Sequence, residues 1–203
     1  MSQKSIGIGF IGGGFITRFH IQSLIGVRNC EVLGVMSKTR SSAEESASLA
    51  RTIGVGDAEV FNTITEMVAE PSINALWICA PNFTRLEIME EIFNAIDSGK
   101  GELIGVTCEK PLGRNVKEAK KVLELTQKAC LLDGYLENQV FAPSVTRGKE
   151  IIWSRGAKAT GRPYLARAAE EHSGPHMPWF WEGELQGGGV LNDMMCHSVE
   201  EAR

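Results

Sequence analysis

Short apolar runs alternate with segments of helical spacing from Ile6 to about Gln139, and this alternation constrains the fold more than any other feature of the chain. "SIGIGFIG" precedes "FITRFHIQSLIG", "EVLGVMS" precedes "SSAEESASLARTIG", "ALWICAPN" precedes "TRLEIMEEIFNAIDSG", and "ELIGVTCEKP" precedes "NVKEAKKVLELTQKA". Each apolar run is of strand length and each following segment is of helix length. Repeated in this order they predict parallel βαβ units, and so an α/β protein with helices covering a largely buried sheet. The pattern persists to "LLDGYLENQ" and then the composition shifts. A domain boundary is expected near Gly134 to Glu137, dividing residues 1–134 from residues 135–203. In the second part "SVTRGKEIIWSRG" predicts a helix, "PYLARAAEEH" a strand, and "GGGVLNDMMCHSVEEAR" a helix starting near Asn192.

The first apolar run ends in "GFIGGGFITRFH". Gly12, Gly14 and the small Thr17 fit a G-x-G-x-x-(small) turn. Gly12 permits the tight turn, and Gly14 lets a pyrophosphate approach the backbone where the helix begins. Phe15 and Ile16, which open that helix, join them as candidate cofactor contacts. Glycines also end strands for steric reasons alone. The position at the first strand–helix junction of an alternating chain is what predicts a Rossmann-type, doubly wound sheet that binds a dinucleotide.

Cofactor choice depends on the end of the second run, "VMSKTRSS". An acid there would accept hydrogen bonds from the adenosine ribose. Ser37 stands in its place, with Lys38 and Arg40 behind it. A hydroxyl and two cations suit a 2′-phosphate, so NADP is expected, with NAD as the alternative.

Three further motifs occur in order after the glycine turn: "APNFTR", "CEKPL" and "GGGVLNDMMCH". With them the chain resembles the Gfo/Idh/MocA oxidoreductases from Ile6 to its last residue. "APNFTR" resembles the family's P-N-x-x-H loop along the nicotinamide ribose. Pro81 and Asn82 match it, and Arg85 replaces the histidine. "CEKPL" supplies Glu109 and Lys110, which the resemblance places with the cofactor contacts. "GGGVLNDMMCH" matches GGG-x-L-x-D-x-x-x-H, and the resemblance implies a catalytic site of Lys110, Asp193 and His197. It also implies an NAD(P)-dependent dehydrogenase acting on a secondary hydroxyl of a sugar, inositol or related polyol. The second domain would be α+β with an open sheet, of which residues 135–203 are only the beginning. The chain is therefore expected to be a truncated version of a longer, homo-oligomeric enzyme.

The chemistry suits these residue types. Oxidising an alcohol needs a base for the hydroxyl proton, and histidine titrates in the right range. Asp193, four residues before His197, would share its helix face and orient the imidazole or help handle the proton. Lys110 would hydrogen-bond the substrate oxygen as alkoxide character develops. In "EEHSGPHMPWFW", His172, His176, Trp179 and Trp181 are candidates to line a sugar pocket, because aromatic rings stack on sugar faces and imidazoles bond hydroxyls. His20 reads as structural.

Two rival readings use the same residues. His172, His176, His197 and Asp193 crowd the end of the chain, as in a metal-dependent hydrolase. However, Gly174 and Pro175 interrupt the first histidine pair, and no metal site is expected. The other rival is a nucleotide-binding sensor or inactive fragment without turnover. Composition narrows the classes further. With 21 Lys and Arg against 25 Asp and Glu, the net charge of −4 argues against phosphate-driven nucleic-acid binding. No apolar run is long enough to cross a bilayer. The N-terminus enters a strand pattern directly, without the features of a signal peptide. The five cysteines are widely spaced with no CxxC pair, as expected of reduced, mostly buried thiols in a cytoplasmic protein.

Overall fold

The computed structural model describes residues 5–171 and 173–203. Its contacts divide the chain into two compact units, Met1–Tyr135 and Leu136–Arg203.

The first unit is built on six strands: β1 (Ile6–Ile11), β2 (Cys30–Met36), β3 (Glu59–Phe61), β4 (Ala75–Ile78), β5 (Gly105–Glu109) and β6 (Leu132–Leu136). They lie in the order β3-β2-β1-β4-β5-β6. Pairing is parallel from β3 through β5. Helices α1 (Phe15–Ser23), α2 (Arg40–Thr52), α3 (Ile64–Ala69), α4 (Arg85–Asp97) and α5 (Val116–Lys128) make the crossovers. This is the doubly wound sheet that the alternation predicts. The order reverses direction between β1 and β4, where such sheets open a crevice at the carboxyl ends of their strands.

Side-chain alternation along β1 explains the two layers. Ile8 and Phe10 enter one buried cluster with Ile21 of α1 and Ala43, Ala47 and Ala50 of α2. Ile11 enters the other with Met67 of α3, Met89 and Ile92 of α4, and Leu125 of α5. Successive side chains of a strand point to opposite faces, so a single strand seeds both layers. The alanine face of α2 lets that helix approach the sheet closely. α3 lies in a stretch for which no helix is predicted. Its start is fixed by a capping box: the Thr63 hydroxyl accepts from Glu66 N, and the Glu66 carboxylate accepts from Thr63 N.

The second unit is helical where it is regular. α6 (Pro143–Ile151) runs through a π-helical turn (Ile152–Gly156) into α7 (Ala157–Thr160). The short helices α8 (Gly183–Gln186) and α9 (Gly189–Asp193) lead to α10 (Met195–Ala202). Two expectations are corrected here. The strand expected at "PYLARAAEEH" is absent: described residues 161–171 have no regular structure and are exposed, with Tyr164 98 % accessible. A strand needs a neighbour for its backbone groups, and β-propensity alone does not provide one. The single final helix is two helices, broken at Met194, so Asp193 closes α9 while His197 sits on α10.

Candidate active site

The glycine turn leaves β1 at the switch point. Gly12 has φ +106°, and a Cβ there would lie 2.8 Å from Ala80 N. Its amide donates to Met36 O at 2.7 Å, and its carbonyl accepts from the Thr17 hydroxyl at 2.6 Å. Thr17 is fully buried, which explains why a small hydroxyl residue belongs at that position. Gly14 differs from Gly12. It caps α1 with no side-chain hydrogen bond, no acid follows in the first turn, and a Cβ added to it would meet no atom of the described residues within 4 Å. Among the described residues nothing demands glycine at 14, whereas Gly12 is held by its φ and by Ala80. The uncapped amides and dipole of the nine-residue α1 suit an anion there, so the residues present fit a pyrophosphate. Phe15 is exposed beside this opening, and Ile16 is half-buried against the core.

At the end of β2, the Ser37 hydroxyl accepts from Thr39 N at 3.4 Å. Lys38 is exposed. Arg40 opens α2 and is engaged by Glu44 (3.0 Å) and Asn62 (2.8 Å). Both Arg40 and Glu44 are more than half exposed, so this pair constrains the guanidinium weakly.

Pro81 and Asn82 follow β4, and Asn82 is buried at the start of a single 3₁₀ turn. Arg85 begins α4 and is also buried. Its Nε donates to Ala80 O at 3.1 Å and its Nη1 to Glu109 O at 2.5 Å. The side chain that replaces the expected histidine thus ties the carboxyl ends of β4 and β5 together. Glu109 ends β5, where one carboxylate oxygen meets His20 Nε2 at 2.7 Å and the other accepts from Lys110 N at 3.0 Å. His20 is further enclosed by Trp77, with ring centroids 5.3 Å apart. The carboxylate of Glu109 is therefore turned to its own protein, and it fixes the backbone of half-buried Lys110. No local pattern marks this network, because its members come from four separate elements, α1, β4, α4 and β5.

In the second unit, buried Gln186 organises the glycine triplet. Its carbonyl oxygen accepts from Gly188 N at 2.8 Å and from Gly189 N, and its amide donates to Gly189 O at 3.0 Å. Positive φ at Gly187 and Gly189 allows this tight loop. A cleft of about 500 Å³ is lined by Pro175, Trp181, Gln186, Asp193 and neighbouring residues. Neither His176 nor Trp179 is among the described residues that line it. Trp179 stacks on Phe180 instead, and His176 is exposed. His172 lies outside the described residues. The histidine–aspartate group considered for a metal is not assembled among the described residues. The donors that do cluster are Glu137, Cys196 and His197, within 4.8 Å of one another. His197 is buried, and its Nδ1 meets Glu137 Oε1 at 2.5 Å. The motifs did not mark Glu137 or Gln186.

All five cysteines are free thiols, but only Cys79 and Cys108 are buried, fewer than expected. Burial pushes the Cys108 thiol up to about 11, with Arg85 opposing and Glu109 adding to the rise. Among the described residues no helix is long and apolar enough to cross a membrane.

Residues 6–132 match the model of an oxidoreductase family with an NAD-binding Rossmann fold. The chain is 27% identical over 197 residues to a 1,5-anhydro-D-fructose reductase of Ensifer adhaerens, covering 96% of this chain and 55% of the relative. It is 25% identical to a myo-inositol 2-dehydrogenase of Thermotoga maritima, covering 97% and 53%. Among solved structures it is similar to GenD2 from gentamicin A biosynthesis in complex with NAD, with TM-score 0.78, 24% identity and coverage of 100% and 54%. The chain spans about half the length of the curated relatives it matches.

Proposed function

Because the chain belongs to the Gfo/Idh/MocA oxidoreductase family, we propose that it carries the dinucleotide-binding domain and the first part of the substrate domain of an NAD(P)-dependent dehydrogenase. The substrate is a secondary hydroxyl of a sugar, inositol or related polyol, as the activities for which its relatives are named suggest. The observation that carries this reading is Gly14: it stands open at the uncapped start of α1, at the sheet's switch point.

Gly12, Gly14, Phe15 and Ile16 would hold the pyrophosphate end of the cofactor, and Pro81, Asn82, Glu109 and Lys110 would border its nicotinamide end. The bound nicotinamide supplies the hydride acceptor. The residues of the chain do the rest. Lys110, its backbone fixed by Glu109, donates a hydrogen bond to the substrate oxygen and stabilises negative charge as it grows. His197 takes the hydroxyl proton, and Asp193, on the wall of the second unit's cleft, helps to handle it. Aromatic Trp181 on that cleft suits the apolar face of a sugar ring, and His172, His176 and Trp179 are assigned to substrate binding on the sequence of "EEHSGPHMPWFW" alone. The free thiols fit a reducing, cytoplasmic setting. The full-length form is assigned as a homo-oligomer.

For the cofactor, Ser37 in place of an acid, with exposed Lys38 and loosely held Arg40, supports NADP over NAD. Fluorescence titrations with NADPH and NADH test this. Tighter NADPH binding is expected, and Ser37→Asp is expected to reverse the order by placing a carboxylate against the 2′-phosphate. Tighter NADH binding by the unaltered chain would remove the NADP assignment. Binding of neither would remove the whole reading. A sugar and polyol panel followed at the nicotinamide absorbance then identifies the substrate class.

A further inference from the structure

The second unit holds a carboxylate–imidazole contact that no motif announces. Glu137 is 3 % exposed and His197 6 %. Glu137 Oε1 lies 2.5 Å from His197 Nδ1, and the two residues are 60 positions apart in sequence. The same oxygen accepts from Gln139 N at 3.1 Å. A backbone N–H can only donate, so Oε1 is already serving as an acceptor. The second oxygen, Oε2, is buried with no hydrogen-bond partner among the described residues.

These contacts decide the state of the ring. An ionised carboxylate offers only acceptors, so the short contact requires a proton on Nδ1. In a neutral imidazole the other nitrogen, Nε2, then carries a bare lone pair. The tautomer of a histidine is set by the partner of the nitrogen that is already engaged, and here that partner is Glu137.

We propose that Glu137 is the positioning residue of His197: it holds the Nδ1–H tautomer and leaves Nε2 as the atom that takes the substrate's hydroxyl proton. The proton-transfer role of His197 rests on the function proposed above, whereas the assignment of the Nδ1 proton does not. When the hydroxyl proton passes to Nε2, both ring nitrogens are protonated. The resulting positive charge then lies against the Glu137 carboxylate, which stabilises it without taking a proton itself.

Cys196 Sγ completes a three-donor cluster, so a metal must be weighed. Two donors on one tetrahedral zinc, each at about 2.0–2.1 Å, stand about 3.3 Å apart. The separation of Nδ1 and Oε1 is well inside that distance and is that of a hydrogen bond. The Cys196 thiol is engaged by Asp193 O at 3.2 Å, which pins the end of α9 to the start of α10.

Long-range ¹H–¹⁵N spectra of the imidazoles in the ¹⁵N-labelled 203-residue chain test the proposal at about pH 8, above the ordinary histidine range. The chain has four histidines, and the His197 signals are identified by their loss in His197→Gln. A proton on Nδ1 and the shift of a bare nitrogen at Nε2 are expected. Glu137→Leu should move the proton to Nε2. Should that variant not fold, Glu137→Gln keeps the bulk and should still shift the Nδ1 proton resonance. A bare Nδ1 in the unaltered chain overturns the proposal, as does an Nδ1 proton that neither variant moves. Loss of the Nδ1 proton on adding stoichiometric zinc would assign the cluster to a metal and overturn it too. Where turnover is measured, Glu137→Gln should lower kcat by about tenfold or more with little change in KM. Failure of the unaltered chain to bind either dinucleotide would refute the proposed function and leave the spectrum to judge Glu137.

Discussion

Two buried histidines in this protein are each held by a glutamate at the carboxyl end of a strand: His20 by Glu109, the last residue of β5, and His197 by Glu137 just past β6. In the first pair the imidazole closes off a carboxylate whose other oxygen supports the Lys110 backbone. Replacing His20 with Ala leaves that carboxylate buried with fewer donors. The expected loss is about 2 kcal/mol, the range for a hydrogen bond to a charged group, read from urea unfolding. An unchanged unfolding midpoint would show that the pair contributes nothing to stability. Residue chemistry was legible in the sequence only where a motif carried it. "CEKPL" drew attention to Glu109 and Lys110, but nothing local marks Glu137 within "YLENQ". Its partner is 60 residues away, and side-chain spacing reports only on neighbours along one element.

At the level of elements, the first crossover separates structural glycine from ligand-facing glycine. Gly12→Ala would force a Cβ to within 2.8 Å of Ala80 N at a positive φ, so it should destabilise the fold itself. Gly14→Ala meets no atom of the described residues within 4 Å. It should leave thermal unfolding within about a degree of the unaltered chain while weakening dinucleotide binding about tenfold or more, because the methyl group stands where the pyrophosphate approaches the backbone. Equal dinucleotide affinity in Gly14→Ala would remove the glycine turn from the binding site. The strands and helices of the first unit were largely readable because each buries a continuous apolar face, so pattern and packing agree. The three-residue β3 and the six-residue α3 were missed for lack of length, although the Thr63–Glu66 spacing was a usable signal for α3. "PYLARAAEEH" fails for the opposite reason: it has a plausible strand composition but no neighbour among the described residues to pair with.

For the molecule as a whole, the two units differ in how their backbones are protected. The first holds its strands in one continuous ladder with buried clusters on both faces. The second has an exposed, irregular stretch over residues 161–171. Hydrogen exchange should therefore be slowest at the amides of β1, β2 and β4, and residues 161–171 should exchange as fast as an unstructured peptide. Slow exchange in that stretch would mean that it is covered. The strand order has a further consequence, for the order of synthesis. Of the six strands β1 is made first, yet it lies between β2 and β4, and the Gly7 amide is satisfied by Asn74, 67 positions later. A nascent chain emerging from the ribosome can pair β1 with β2 early, but the opposite edge stays open until residue 78 is free. Ala80, which walls the glycine turn, arrives later still. During that interval the apolar centre of the future sheet is an unsatisfied edge, so the earliest translated of these six strands is the one most exposed to mispairing and the one for which a chaperone has most to protect.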